Sequence, residues 1–128
     1  MKNPLTASAQ TNPNFDINSK INEFLQIAAL EPEEYGLYNV DLNNLEVSDP
    51  ISPYSYTENG ELEEIKDVKY YFICSNGQPV ANVILCENDK LSVPSATFET
   101  ETALKLSEFL KTNNEFTLIH NNNDLLIL

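Results

Sequence analysis

Residues Lys69–Cys86 read KYYFICSNGQPVANVILC. Two runs rich in aromatic and β-branched residues flank Asn76-Gly77, a dipeptide that tolerates positive φ at both centres of a tight turn. The stretch therefore predicts a β-hairpin. With Asn76 and Gly77 as the loop, Ser75 faces Gln78. Straight counting then sets Phe72 opposite Ala81, Tyr70 opposite Val83 and Val68 opposite Leu85. Alternation gathers Val68, Tyr70, Phe72, Ala81, Val83 and Leu85 on one face, the expected core face. The other face holds Lys69, Tyr71, Ile73, Val80, Asn82 and Ile84, a mixed set suited to a partner-facing surface. Pro79 has no N–H to donate to a ladder, so it belongs at the hairpin mouth or with its nitrogen outward.

Outward from the hairpin, each flank offers a helix. Phe15–Leu30 places Ile17, Ile21, Phe24, Leu25 and Ala28 on one stripe, with Asp16 or Ser19 as cap. Glu31-Pro32 ends it, because a residue before proline avoids the α region. Thr97–Lys111 is the second helix, with Ala103, Leu106, Phe109 and Leu110 inward and Thr97 or Thr100 as cap. Short strands are expected at Tyr35–Val40, Ile51–Thr57, Leu62–Val68 and Lys90–Val93. A closing hairpin is expected from Phe116–His120 and Leu125–Leu128. Residues 1–14 are a polar, flexible leader, and 15–128 form one domain. The expected fold is α+β: a single antiparallel sheet with both helices packed on one face. Its core draws on Phe24, Tyr70, Phe72, Val83, Leu85, Leu106 and Phe109.

The chain has 128 residues, seven lysines, no arginine and twenty Asp or Glu, for a formal net charge of −13. No lysine lies between Lys20 and Lys66, whereas Glu31, Glu33, Glu34, Asp41, Glu46, Asp49, Glu58, Glu61, Glu63 and Glu64 fall in that span. Such a surface repels nucleic-acid backbones and anionic membranes, so no nucleic-acid partner is expected. It serves either as a solvated acidic coat or as a docking face for a basic protein. No run is long and apolar enough to cross a bilayer as a helix, so no transmembrane segment is expected. Met1–Gln10 has no apolar core and does not read as a signal peptide. Whether Met1 is the native start or follows a removed signal is left open.

Chemistry-bearing motifs are sparse. Cys74 and Cys86 fall on opposite faces in the straight register, too far apart to bridge, and are expected as free thiols. His120 is the one histidine. A Cys74–His120 nucleophilic pair lacks any local motif, and one histidine with two separated cysteines is a poor zinc set. Asp41–Glu46 begins like a calcium loop but puts Leu45 at a ligand position and Glu46 where glycine is required. Gly36, Gly60 and Gly77 are isolated, so no phosphate-cradling loop is present. No catalytic residue, cofactor or metal is expected. The candidate partner surface is Glu31, Glu33 and Glu34 together with Tyr71, Ile73 and Ile84. Tyr35, Tyr38, Tyr54 and Tyr56 are candidates to line a peptide or glycan surface, or to cover a sheet with their rings.

From Leu45 onward the order LEVSDPISPYSY, KYYFICSNGQPVANVIL, helix and EFTLIHNNNDLLIL resembles a small domain of secreted proteins in low-GC Gram-positive bacteria. That family carries an LGxPixxY segment before a YYYPvxxNGKiv hairpin, then a short helix and a closing hairpin. Here SDPISPY lacks the glycine of the first motif, and Cys74 falls where the second loosens. The resemblance implies a non-catalytic accessory segment, found alone or beside trypsin-like or papain-like peptidases, in the secreted or cell-envelope compartment. Its expected role is protein binding, propeptide-like or inhibitory toward a peptidase. The alternative from charge alone is an intracellular acidic inhibitor or immunity-type protein that blocks a basic toxin or nuclease, and the cytoplasm stays open as the compartment.

Overall fold

The computed structural model describes residues 16–37, 40, 44–87, 94–122 and 124–128. The leader, the turn at Asn88-Asp89, the strand expected at Lys90–Val93 and residues 41–43 lie outside them. Helix α1 is Ile17–Leu30 and α2 is Glu101–Phe109. The strands are β1 (Leu45–Val47), β2 (Tyr54–Tyr56), β3 (Leu62–Glu64), β4 (Val68–Ser75), β5 (Gln78–Cys86), β6 (Ser95–Glu99), β7 (Leu118–Asn121) and β8 (Asp124–Ile127).

The strands build two four-stranded sheets, not one: β1-β4-β5-β6 and β3-β2-β7-β8. The single-sheet expectation fails because β2 and β7 pair in parallel, Tyr54 beside Ile119 and Ser55 beside His120. A parallel pair needs a long crossover, so no local turn announces it.

The hairpin forms where Asn76-Gly77 places it, with φ of 53° and 79° at the two loop residues. Ser75 faces Gln78 and Cys74 faces Pro79, and then the ladder slips. Ile73 pairs with Ala81, so Val80 is an extra residue on β5. This is a β-bulge, and it stands beside the one residue of the strand that has no N–H to give. From there on every pair differs by one from straight counting: Phe72 faces Asn82, Tyr70 faces Ile84 and Val68 faces Cys86.

A shift of one residue exchanges the faces of a strand. Tyr71, Ile73, Ala81, Val83 and Leu85 thus share a face, and they pack with Ile17, Ile21 and Ala28 of α1 and with Leu37. Tyr70 and Phe72 point the other way and pack with Ala103 and Leu106 of α2 and Leu118 of β7. The two helices therefore lie on opposite faces of the β1-β4-β5-β6 sheet, which corrects the one-face expectation. The layers run α1, then this sheet, then α2 together with the second sheet.

Helix α1 follows its sequence closely. The Asp16 carboxylate accepts from Asn18 N at 3.0 Å and from Ser19 Oγ at 2.9 Å, a fixed N-cap. Phe24 and Leu25 are half-buried against the α1 core, and the Phe24 ring lies 5.5 Å from that of Phe98. Helix α2 starts later than expected, because Ser95–Glu99 is spent as an edge strand paired with β5. Tyr35 and Gly36 lie in a turn rather than in a strand; Gly36 N donates to Glu33 O and Leu37 N to Pro32 O. The stretch expected as Leu62–Val68 splits into β3 and the start of β4 around a turn at Lys66-Asp67. The closing hairpin forms as β7 and β8.

Candidate functional site

Glu31, Glu33 and Glu34 stand exposed on the turn that leaves α1. Backbone bonds within residues 31–37 fix this turn, and buried Leu37 anchors its far end. None of the four ion pairs among the described residues uses these carboxylates. Ile27 and Leu30 are exposed on the adjoining end of α1, Leu30 at 82 %. This corner is an acidic rim beside a small apolar knob.

The hairpin half of the expected partner surface is not there. Tyr71 and Ile73 are at most 1 % exposed beneath α1, so neither offers contact area to a partner. Ile84 is half-buried on the opposite side of the sheet, packed near Tyr70 and Phe72. The bulge separates Ile84 from Tyr71 and Ile73, which straight counting had joined.

Two polar groupings sit inside the α2 layer. Tyr70 Oη and His120 Nε2 are 2.9 Å apart and join the two sheets. Burial pushes the Tyr70 phenol up to about 12, with the Glu99 carboxylate and Cys86 adding to the rise. Burial also lowers the His120 imidazole below its ordinary range. In the neutral tautomer that carries its proton on Nδ1, Nε2 accepts the hydrogen bond from the Tyr70 hydroxyl. Nearby, Asn82 is fully buried. Its Oδ1 accepts from Ala103 N at 3.0 Å, and its Nδ2 donates to Glu99 Oε1 at 3.2 Å. Thr102 Oγ1 donates to the same Glu99 oxygen. Thr100, the N-cap of α2, makes no side-chain capping bond, so Asn82 supplies from the sheet what the helix lacks locally.

These groups do not assemble a nucleophile. Cys74 lies four residues beyond Tyr70 on β4, about 13 Å along the strand, whereas His120 is spent on Tyr70. Burial, then Glu46, pushes the Cys74 thiol up; burial, then Asp67, does the same for Cys86. Both are thus thiols rather than thiolates at neutral pH. Both cysteines are free. The corrected register puts them on the same face, about 20 Å apart along the strands. Among the described residues no group of three or more His, Cys, Asp or Glu is placed to hold a metal. No described helix is long and apolar enough to cross a membrane.

A second surface emerges from the second sheet. Leu118, Leu125 and Ile127 point into the α2 core. Alternation sends Tyr54, Tyr56, Leu62, Glu64, Ile119 and Leu126 to the outer face. Tyr56 and Leu62 are directly paired and each is 47 % exposed; Leu126 is 36 % and Leu128 57 % exposed. Only Ile119, in the middle of the sheet between Tyr54 and Leu126, is closed off at 1 %. The paired tyrosines of YSY were the one sequence signal for this face.

Comparison of the chain with protein-family models, with curated proteins and with solved structures finds no match.

Proposed function

We propose that this chain is a non-catalytic binding module that docks a basic protein partner. The observation that carries the reading is the charge: −13 with no arginine, and carboxylates such as Glu31, Glu33 and Glu34 held outward on a fixed turn with no lysine paired to them. Complementary charge steers encounter and selects partners more than it adds affinity. The resemblance of residues 45–128 supports a secreted or envelope setting, propeptide-like or inhibitory toward a peptidase. The charge alone equally suits an inhibitor that covers the basic site of a toxin or nuclease.

The test is capture of partners from the source organism at low and high salt, with the captured proteins identified. We expect a basic protein that is lost as salt rises. The triple substitution Glu31→Gln, Glu33→Gln, Glu34→Gln should slow its association while leaving thermal stability nearly unchanged. Capture of nucleic acid, or of a partner indifferent to salt, would remove the reading.

A further inference from the structure

We infer that the docking surface for the basic partner is the outer face of the β3-β2-β7-β8 sheet, and that it takes a polypeptide surface with an apolar centre and a lysine- or arginine-rich rim. The inference rests on the binding-module reading and adds the place and the chemistry of the contact.

The ladders fix which side chains are neighbours. Glu64, Tyr54, Ile119 and Leu126 form one row across the four strands. Leu62 and Tyr56 pair in the next row, and Leu128 lies two residues beyond Leu126, with its backbone bonded to Thr117. The accessible apolar groups therefore lie along a diagonal, Leu62, Tyr56 and Tyr54 on one side and Leu126 and Leu128 on the other, with the closed-off Ile119 beneath its middle. Of the seven large apolar side chains exposed among the described residues, four lie on this diagonal. Scattered exposed apolar residues are ordinary; several of them gathered on one sheet face mark an interaction surface. An open depression of about 610 Å³, lined by Asn114, Glu115, Phe116, Thr117 and Leu128, continues it past the end of β8.

Charge decides among the occupants. Strands β2, β3, β7 and β8 carry Glu63, Glu64 and Asp124 and no lysine. Glu58 and Glu61 border the β2–β3 turn, and Glu115 borders the depression. Lys69 reaches this rim from β4 and forms a long ion pair with Glu64 at 4.0 Å, leaving the other carboxylates of the rim without a lysine from these strands. A second copy would set Glu64 and Asp124 against like carboxylates, and two chains of charge −13 repel. An anionic membrane would be repelled by the same rim. A basic rim around an apolar centre satisfies both features of the face.

The experiment is a titration of the isotope-labelled full chain, followed by amide chemical shifts. The probe is an amphipathic peptide of alternating lysine and leucine, and the control alternates glutamate and leucine. We expect saturable binding of the lysine peptide only, weakened by salt, with shift changes centred on Tyr56, Leu62, Ile119 and Leu126. Tyr56→Ala should weaken binding roughly tenfold or more, and Leu126→Lys should do the same by adding a cation. Both positions face outward, so melting temperature should hold; should either variant unfold, the wild-type shift map still decides. Changes centred on Ile27, Leu30 and Glu31 would overturn the assigned face and leave the module reading standing. Equal response to both peptides, or to neither, would overturn both. A dimer in sedimentation that Leu126→Lys dissolves would replace the basic partner with a second copy.

Discussion

The two sheets use their faces differently. In the β1-β4-β5-β6 sheet both faces of the central strands are enclosed, one by α1 and the other by α2 and the second sheet. Its hairpin strands accordingly read as near-continuous apolar runs, and five of the eight residues of β4 are buried, Tyr70 to Ile73 and Ser75, with Cys74 half-buried between them. In the β3-β2-β7-β8 sheet one face is enclosed and the other meets solvent, so β8 alternates exposed and half-buried residues along its length. A sheet enclosed on both sides supplies stability and has no surface to offer. A sheet enclosed on one side keeps a face for recognition. The proposed docking surface accordingly lies where burial stops, not on the hairpin around which the chain is built.

The largest effect should come from truncating the same kind of apolar group on each sheet. Phe72→Ala, in the doubly enclosed sheet, should cost about 3–5 kcal/mol in urea unfolding. Leu126→Ala, on the open face, should stay within roughly 0.5–1 kcal/mol. Equal costs would mean that something covers the open face in solution.

The joint between the sheets is tested by pH. The Tyr70 phenol holds its proton to about 12 in the fold against 10.0 for an ordinary tyrosine. Between those values the unfolded chain releases the phenol proton first, so the Tyr70 contribution to stability is full below pH 10 and is lost as pH rises toward 12, following an earlier decline from the Cys74 and Cys86 thiols, which burial also raises. The loss should be on the order of 2 kcal/mol. Tyr70→Phe should remove the part of the alkaline slope between pH 10 and 12, leave the part due to the two thiols, and cost roughly 1–2 kcal/mol at neutral pH by leaving His120 Nε2 unpaired. On the acid side the sign reverses. His120 is lowered by burial, so the unfolded chain gains a proton first, and stability declines as pH falls below about 6.5. Chemical unfolding at a series of pH values reads both limbs, and a flat alkaline limb would count against the buried pair.

A smaller effect is expected at the turn. Gly77 has φ of 79°, where a β-branched residue is strained, although a Cβ there would meet nothing within 4 Å. Gly77→Val should therefore cost roughly 1–2 kcal/mol through the backbone alone. An unchanged melting curve would show that the turn re-forms elsewhere, and the faces of both hairpin strands would have to be reassigned.

What was legible in the sequence divides along physical lines. Local chemistry carried well: the Asn76-Gly77 turn, the α1 stripe of Ile17, Ile21 and Ala28, the Asp16 cap, and the break at Glu31-Pro32 all stand in the structure. Parity did not carry. Pro79 marked the site of the ladder's disturbance, but nothing local showed that Val80 would be accommodated as an extra residue, and one residue exchanged the roles of Tyr70 and Tyr71. Pairing across distance did not carry either, since Tyr54 and Ile119 become neighbours without any turn between them. For the candidate site, the exposed carboxylates at Glu31, Glu33 and Glu34 were readable as charge. The outer face was not, because alternation within YSY or DLLI names two sides without saying which one the core will take.

Asn82 has a consequence in time as well as in space. Helix α2 is nine residues long, too short to persist alone in water. Its first turn is completed by an acceptor that lies 21 positions earlier in the chain, on β5. The helix thus depends for its start on a strand already laid down, and it is a follower in assembly. Its amides can be no better protected against exchange than those of β5, and any fluctuation that lifts β5 from the sheet releases the helix with it.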